Sequence, residues 1–303
     1  MIRKILKRIG IVLGSLIGLL VLAFAVLYII GTLKWDRLHG KYDLPVETIT
    51  IPTDQASIVR GEHIATIHMC QHCHLDDFSG QTVGAPAMAI LTITNLTSGA
   101  GGIGATNIDE DWVRAIRHGV GNNDRGLVLM PSATWYYVSD DDLADLIAYL
   151  KNLPPVDKEG PGTNLGPIGR VMLALGKLPP EIIPNVTVIN HSGPRPMAPK
   201  PGVTVEYGEY LARTCALCHG SNFNGQTIRE GGNVYVAPNL TPAGEMGFWS
   251  EEQFITTMRT GVTPGGHHLK DFMPWKYFGQ MTDDELKAVW MYLQSLTALP
   301  QGK

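Results

Sequence analysis

The sequence predicts an all-α chain: two tandem helical domains behind an N-terminal transmembrane helix. Three observations predict it. Ile9 to Leu33 runs for 25 residues without a charge. The rest of the chain repeats itself over two stretches of about 100 residues. Each copy contains one C-x-x-C-H pentapeptide and closes on a helix with one apolar stripe.

The elements follow in order. Residues 1–8 carry Arg3, Lys4, Lys7 and Arg8 and are expected to form a cytoplasmic tail. Residues 9–33, at about 1.5 Å each, make roughly 37 Å of helix against a hydrocarbon core of about 30 Å. The basic cluster before this helix puts the rest of the chain on the outer face of a bacterial cytoplasmic membrane. A cleaved signal peptide would have a shorter apolar region and an A-x-A-type site, so a retained single-pass anchor is expected. Tyr28 and Trp35 suit the outer interface. Gly10, Gly14 and Gly18 recur on one face, a spacing that lets membrane helices approach closely, although glycine is also frequent in such helices generally. A helix partner at this face is one expectation.

Residues 34–57 read as a polar tether with Pro45 and Pro52. Residues 58–155 and 203–303 are two copies of one domain. Gly61-Glu62 recurs as Gly208-Glu209, Asn95-Leu96-Thr97 as Asn239-Leu240-Thr241, Arg117-x-Gly119-Val120 as Arg259-x-Gly261-Val262, and Met130-Pro131 as Met273-Pro274. Leu143, Leu146, Ile147 and Leu150 make the stripe of the last helix; Leu286, Val289, Trp290 and Leu293 repeat it. Ser139 with Asp142, Thr282 with Glu285, and Ser250 with Gln253 mark helix starts. Ile108 has no Ser/Thr cap, so the start of the middle helix in the first copy is less defined. Residues 156–202 form a semi-rigid linker, since 154–201 holds eleven of the twenty prolines. A short helix over 168–175 is expected there, docked between the domains.

All four cysteines fall in Cys70-Gln71-His72-Cys73-His74 and Cys215-Ala216-Leu217-Cys218-His219. This spacing is the one used for covalent c-type haem, with the His as proximal ligand. A zinc ribbon would bring both pairs into one site, but they lie about 145 residues apart in separate repeats. A redox dithiol does not need the trailing His. Two covalently bound haem c groups are therefore expected.

The far side of each iron decides its chemistry. Met130 lies 56 residues after His74, and Met273 lies 54 after His219. A lone Met is usually core filler. Two Met-Pro pairs at matching positions point instead to axial ligands, and His267 or His268 is the alternative to Met273. Met88, Met258 and Met281 have no repeat partner and read as packing residues. His63, His68 and His72 read as surface or haem-edge residues, and His118 and His191 as surface positions.

The order C-x-x-C-H, N-L-T, R-x-G-V, M-P, Ser/Thr-Asp-Asp-x-Leu and a Tyr-Leu helix resembles the class I cytochrome c domains of membrane-bound alcohol and gluconate dehydrogenase cytochrome subunits. The resemblance covers both repeats, about two-thirds of the chain. It implies that Cys70, Cys73, His74 and Met130 hold one haem and Cys215, Cys218, His219 and Met273 the other. It also implies that a proline carbonyl receives the proximal His proton, with Pro86 and Pro238 as candidates. Many members carry three haems, and this chain has two motifs.

Formal net charge is −4, which argues against a nucleic-acid partner. Outside the four basic residues of the tail, 20 Lys and Arg stand against 28 Asp and Glu, a net of −8 that would steer a basic redox partner. The expected function is single-electron transfer with no substrate turned over. The expected partners are redox proteins: a dehydrogenase, a quinol-oxidising complex or a terminal oxidase. The alternatives are a fixed electron-transfer subunit of a respiratory oxidase or dehydrogenase complex and, third, a dihaem peroxidase or thiosulfate dehydrogenase.

Overall fold

The computed structural model describes residues 2–195, 197–230 and 233–302. Met1, Pro196, Gly231, Gly232 and Lys303 lie outside the described residues; they include the first residue of the expected tail and the last of the expected second domain. Helix α1 spans Ile2–Leu38, longer at both ends than the uncharged stretch. Its apolar side chains are exposed along most of its length, and Gly10, Gly14 and Gly18 border open space.

The first repeat is built from α2 (Gln55–Ile67), α3 (Cys70–His74), a hairpin of β1 (Gln81–Ala85) and β2 (Ala89–Ile93), α4 (Asp109–His118), α5 (Ser132–Trp135) and α6 (Asp140–Lys151). Strand β3 (Asn164–Leu165) extends the hairpin, and α7 (Pro167–Ala174) follows in the linker. The same order returns as α8 (Val205–Ala212), α9 (Ala216–His219), β4 (Gln226–Glu230), β5 (Asn233–Ala237), α10 (Glu251–Thr260), α11 (Trp275–Phe278) and α12 (Asp283–Ser295). Helix makes up about 47% and strand about 10%, so the chain is mainly helical rather than all-α. The hairpins form where β-branched residues cluster, as in Thr82-Val83 and Ile90 to Ile93. Helical periodicity in the flanking segments gives no sign of them.

The caps lie where the sequence puts them. Ser139, Ser250 and Thr282 hydroxyls accept the N–H groups of Asp142, Gln253 and Glu285. Helix α4 begins without a hydroxyl; the Asp111 carboxylate accepts the Ile108 N–H at 3.1 Å.

Each repeat is held by its first and last long helices crossing at a glycine. A Cβ on Gly61 would lie 2.0 Å from the Asp145 carbonyl oxygen, and one on Gly208 would lie 1.9 Å from that of Ala288. No other residue lets the backbones come so close. Around the crossings sit two cores, one with Trp112, Leu143 and Ile147, the other with Phe254, Leu286 and Leu293.

The tether and linker depart from expectation. The tether is not free: Val46, Ile49 and Ile51 pack on the first core, and Glu47 bonds to Arg117 and to His118 Nε2 (3.0 Å). Burial alone would raise Glu47, but the bonds from His118 and Arg117 outweigh it and bring its carboxyl down to about 2. His118 is buried and meets His191 Nδ1 at 2.9 Å, so neither is the isolated surface residue expected. Helix α7 forms as predicted but docks on α1, not between the repeats. Trp35 is 4% exposed in a small core with Leu91, Leu165 and Leu173, so it is not an interface anchor.

The repeats meet through equivalent positions. His63 and Tyr210 each lie two residues after the crossing glycine. His63 Nε2 donates to Glu285 at 2.9 Å, and the Tyr210 hydroxyl donates to Asp142 at 2.5 Å. Glu285 and Asp142 are the matching third residues of α12 and α6. The contact is thus pseudo-two-fold, with each repeat offering the same patch to the other. His63 is an inter-repeat residue rather than a surface one.

This ion pair sets a pH window. Hydrogen bonding to Glu285 raises His63 above its ordinary 6.5, against the opposing effect of burial. Burial pushes Glu285 up, but bonds from His63 and Thr282 prevail and lower it from 4.5. The His63 contribution is complete below pH 6.5 and is lost as pH rises through the raised value. The Glu285 contribution is complete above pH 4.5 and is lost as pH falls through the lowered value. Thermal stability should therefore carry a component that is greatest between these limits and that disappears in His63→Ala. Melting curves across pH check it; identical profiles for the two proteins would refute the assignment.

Candidate functional site

The two C-x-x-C-H segments sit at matching places, and the repeated motifs explain how. After His219 the chain turns at Gly220 (φ 78°) and Gly225 (φ 83°), and the Gly225 N–H returns to the His219 carbonyl at 2.9 Å. Leu240 N–H bonds the Phe223 carbonyl at 2.8 Å, and Leu96 bonds Phe78 in the same way at 2.9 Å. The N-L-T element is a brace. Asn239 Oδ1 accepts from the Thr241 N–H and hydroxyl (2.9 and 2.7 Å), while its Nδ2 donates to the Leu299 carbonyl at 2.7 Å. Asn95 does the same with Thr97 and the Val156 carbonyl.

The residue before each brace presents its carbonyl to the motif histidine. His219 Nδ1 donates to Pro238 O at 2.8 Å, and His74 Nδ1 donates to Thr94 O at 2.9 Å. Pro238 is thus the acceptor that the sequence suggested, and Pro86 is not; Pro86 lies in the β1–β2 turn. The signal for Thr94 was positional: it precedes N-L-T just as Pro238 does. Burial lowers both histidines, and the carbonyl bond only partly offsets it. Each ring is held neutral with Nε2 left as the free lone pair.

The R-x-G-V element holds the methionine side. Gly119 and Gly261 end their helices in the left-handed region (φ 69° and 70°). Their carbonyls accept Leu127 and Leu269 N–H, each at 2.7 Å, which folds the following loop back. Arg117 and Arg259 then bond the carbonyls of Val138 and Gly279 beyond Met130-Pro131 and Met273-Pro274. Pro131 and Pro274 start α5 and α11.

In the second repeat, Cys215, Cys218, His219 and Met273 all line one cavity of about 310 Å³. Phe254, Met258, Met281, Leu286 and Leu293 make its walls apolar, and His268, but not His267, also reaches it. In the first repeat, Cys70 and Met130 pack on the core of Phe78, Leu96 and Trp112. Trp112 Nε1 is buried with no hydrogen-bond partner among the described residues, an N–H that a bound group with acceptors would satisfy. Burial pushes the Cys70 and Cys215 thiols up to about 12, the opposite of an activated dithiol. An apolar cavity, a pair of cysteines three residues apart beside each motif histidine, and two oriented neutral imidazoles fit covalent haem.

The two motifs approach each other. His68, two residues before Cys70, is buried and lies 3.2 Å from the Thr214 hydroxyl, one residue before Cys215. His72 meets the Tyr277 ring edge-on at 6.1 Å, four residues after Met273. His68 is thus not at the surface: it is a buried inter-repeat contact lying between the two motifs.

Fold and site together resemble those of a c-type cytochrome. Residues 205–297 match the family Cytochrome c, a haem-binding electron-transport domain. The chain is also homologous to curated cytochrome c subunits. It is 26% identical over 289 residues to the cytochrome c subunit of alcohol dehydrogenase (quinone) from Gluconobacter oxydans (strain 621H), covering 82% of this chain and 57% of the relative. It is 27% identical over 277 residues to the gluconate 2-dehydrogenase cytochrome c subunit of Pantoea cypripedii, covering 81% and 60%. A shorter match, 30% over 103 residues, links it to the fructose dehydrogenase cytochrome subunit of Gluconobacter japonicus, covering 30% and 21%. The chain spans less than two-thirds of the length of these relatives.

Asn239→Ala would strip partners from the buried Thr241 and from the Leu299 carbonyl. Stability should fall by about 1–3 kcal/mol, the cost of unpaired buried polar groups. Urea unfolding checks it, and an unchanged midpoint would remove the brace from this account.

Proposed function

We propose that this chain is a membrane-anchored dihaem c-type cytochrome that passes single electrons outside a bacterial cytoplasmic membrane. The observation that carries the reading is the pair of matched sites. In each, a C-x-x-C-H histidine is fixed through Nδ1 to a backbone carbonyl, and a Met-Pro loop is folded back by R-x-G-V. On this reading Cys70, Cys73, His74 and Met130 hold one haem in a domain over 58–155. Cys215, Cys218, His219 and Met273 hold the other in a domain over 203–303. The haems supply a reversible one-electron iron couple; the protein orients the imidazole, excludes water and tunes the potential. The contacts of His68 with Thr214 and of His72 with Tyr277 support electron exchange between the two sites within one molecule.

Helix α1 is long and apolar enough to cross a membrane, which supports anchoring with the repeats on the outer face. The relatives are named as cytochrome subunits of dehydrogenases, which favours a dehydrogenase as electron donor and a stable complex over a free shuttle. A quinol-oxidising complex or terminal oxidase is the acceptor class in this reading. The Gly10, Gly14 and Gly18 face is where a partner helix would pack.

Cys215→Ala with Cys218→Ala should leave one covalent haem per chain, counted by pyridine haemochrome and haem-stained denaturing gels. Loss of both haems, or of neither, would sink the reading of two separate sites. Thioether sulfur favours ferrous iron, so Met273→His should lower one potential by about 0.1 V or more within the roughly 0.8 V that axial ligands span. The far-red sulfur-to-iron band should lose that haem's share while the other haem titrates unchanged. Potentiometry with absorbance detection tests this, and two unmoved potentials would exclude Met273 as ligand.

A further inference from the structure

The two hairpins occupy the same repeat position but differ in kind. From Gln81 to Ile93 the first has no charged residue, and its turn reads Gly84-Ala85-Pro86-Ala87-Met88-Ala89. The second carries Arg229 and Glu230 at the corresponding turn. Residues 82–87 are nevertheless exposed, and Val83 is among the exposed large apolar side chains. The second hairpin also exposes Val234 and Val236, but its turn carries charge, so an exposed, wholly uncharged turn belongs to the first copy and calls for a reason.

Its position supplies one. The tip is joined to the start of α7: Ile168 N–H bonds the Ala87 carbonyl and Gly166 N–H that of Met88, both at 2.9 Å. Helix α7 in turn lies along the outer end of α1. The Arg170 guanidinium stands 5.7 Å from the Tyr28 ring centroid, a Cβ on Gly31 would strike the Arg170 carbonyl oxygen at 1.8 Å, and Lys34 Nζ donates to Ala174 O at 3.2 Å. Pairing 28 with 170 and 34 with 174 makes the two helices parallel. The Pro167-Ile168 end of α7 and the hairpin tip therefore point toward the membrane. Tyr28 lies five residues, about 7–8 Å, inside Leu33. That is the depth of about 5–10 Å at which interfacial elements bury apolar faces. Ile168, at that end, is 48% exposed, and Ile29 and Leu33 of α1 are exposed as well. Lys34 and Arg170 lie at that level, their charged groups held by the Ala174 carbonyl and by the Leu165 carbonyl and Asn164 Oδ1.

We propose that the β1–β2 tip and the membrane-facing end of α7 form a pad that inserts into the outer phospholipid interface beside α1. The hairpin's backbone groups are paired within the sheet, and the wet interface accepts the few left at the turn. The pad would seat the first repeat on the bilayer and fix the orientation of both motifs relative to it. The inference rests on α1 crossing the membrane, and the experiment separates the two claims.

The haem-loaded full chain is placed in phosphatidylcholine–phosphatidylglycerol nanodiscs containing a phosphatidylcholine with a diazirine near its glycerol. After illumination, labelled peptides are read by mass spectrometry. Peptides of α1, of 81–93 and of 167–175 should be labelled several-fold above those of 226–237. Labelled α1 with 81–93 and 167–175 no higher than 226–237 overturns the pad alone; unlabelled α1 overturns both pad and anchor. An Ala87→Asp, Ile168→Asp double variant should lose labelling at 81–93 while retaining haem content and α1 labelling. Undiminished labelling at 81–93 in that variant would also overturn the pad.

Discussion

The glycine crossing of the first and last helices is the constraint on which each repeat depends. With carbonyl oxygens of α6 and α12 where side chains at 61 and 208 would otherwise sit, only hydrogen fits at those positions. The close approach sets where α2 and α8 end, and hence where each C-x-x-C-H begins. It also sets where α6 and α12 begin, and hence where the Met-Pro loops must arrive. The shorter motifs then act on opposite sides of one space. N-L-T ties the histidine-facing carbonyl to the segment after the last helix, and R-x-G-V ties the methionine loop to the middle helix.

The two sites are alike in their motifs, and their surroundings make them different. His63 and Tyr210 use one repeat position for the same task, reaching across to an acid at the start of the other repeat's last helix. Beyond that interface the symmetry ends. Only the first repeat is wrapped by the tether and by α7, and only there is the middle helix's arginine fully buried against Glu47. Trp112 in the first core faces the same task as Phe254 in the second, with one extra N–H. On the proposed reading, two irons held by the same residue types in such unequal surroundings would differ in potential, since burial and nearby hydrogen bonds tune it.

His63, His68, His118 and His191 looked peripheral because a polar residue in a repeat carries no label for the surface it meets. Each turned out to face another segment: His63 and His68 the second repeat, His118 the tether, His191 the middle helix. Trp35 looked like an interface anchor because it follows an apolar span, yet α7 and the β2 strand cover it.

By itself the sequence determined what local spacing and repetition can encode. The C-x-x-C-H pentapeptides, the Met-Pro pairs, the caps at Ser139, Ser250 and Thr282, and the length of the uncharged span were all legible, because each rests on residues within a turn or two or on a copy elsewhere. Tertiary structure alone decided which carbonyl receives His74, where the tether and α7 pack, and which faces the repeats turn to each other. These depend on contacts between residues tens to hundreds of positions apart, whose free energy comes from packing and burial that no local pattern records.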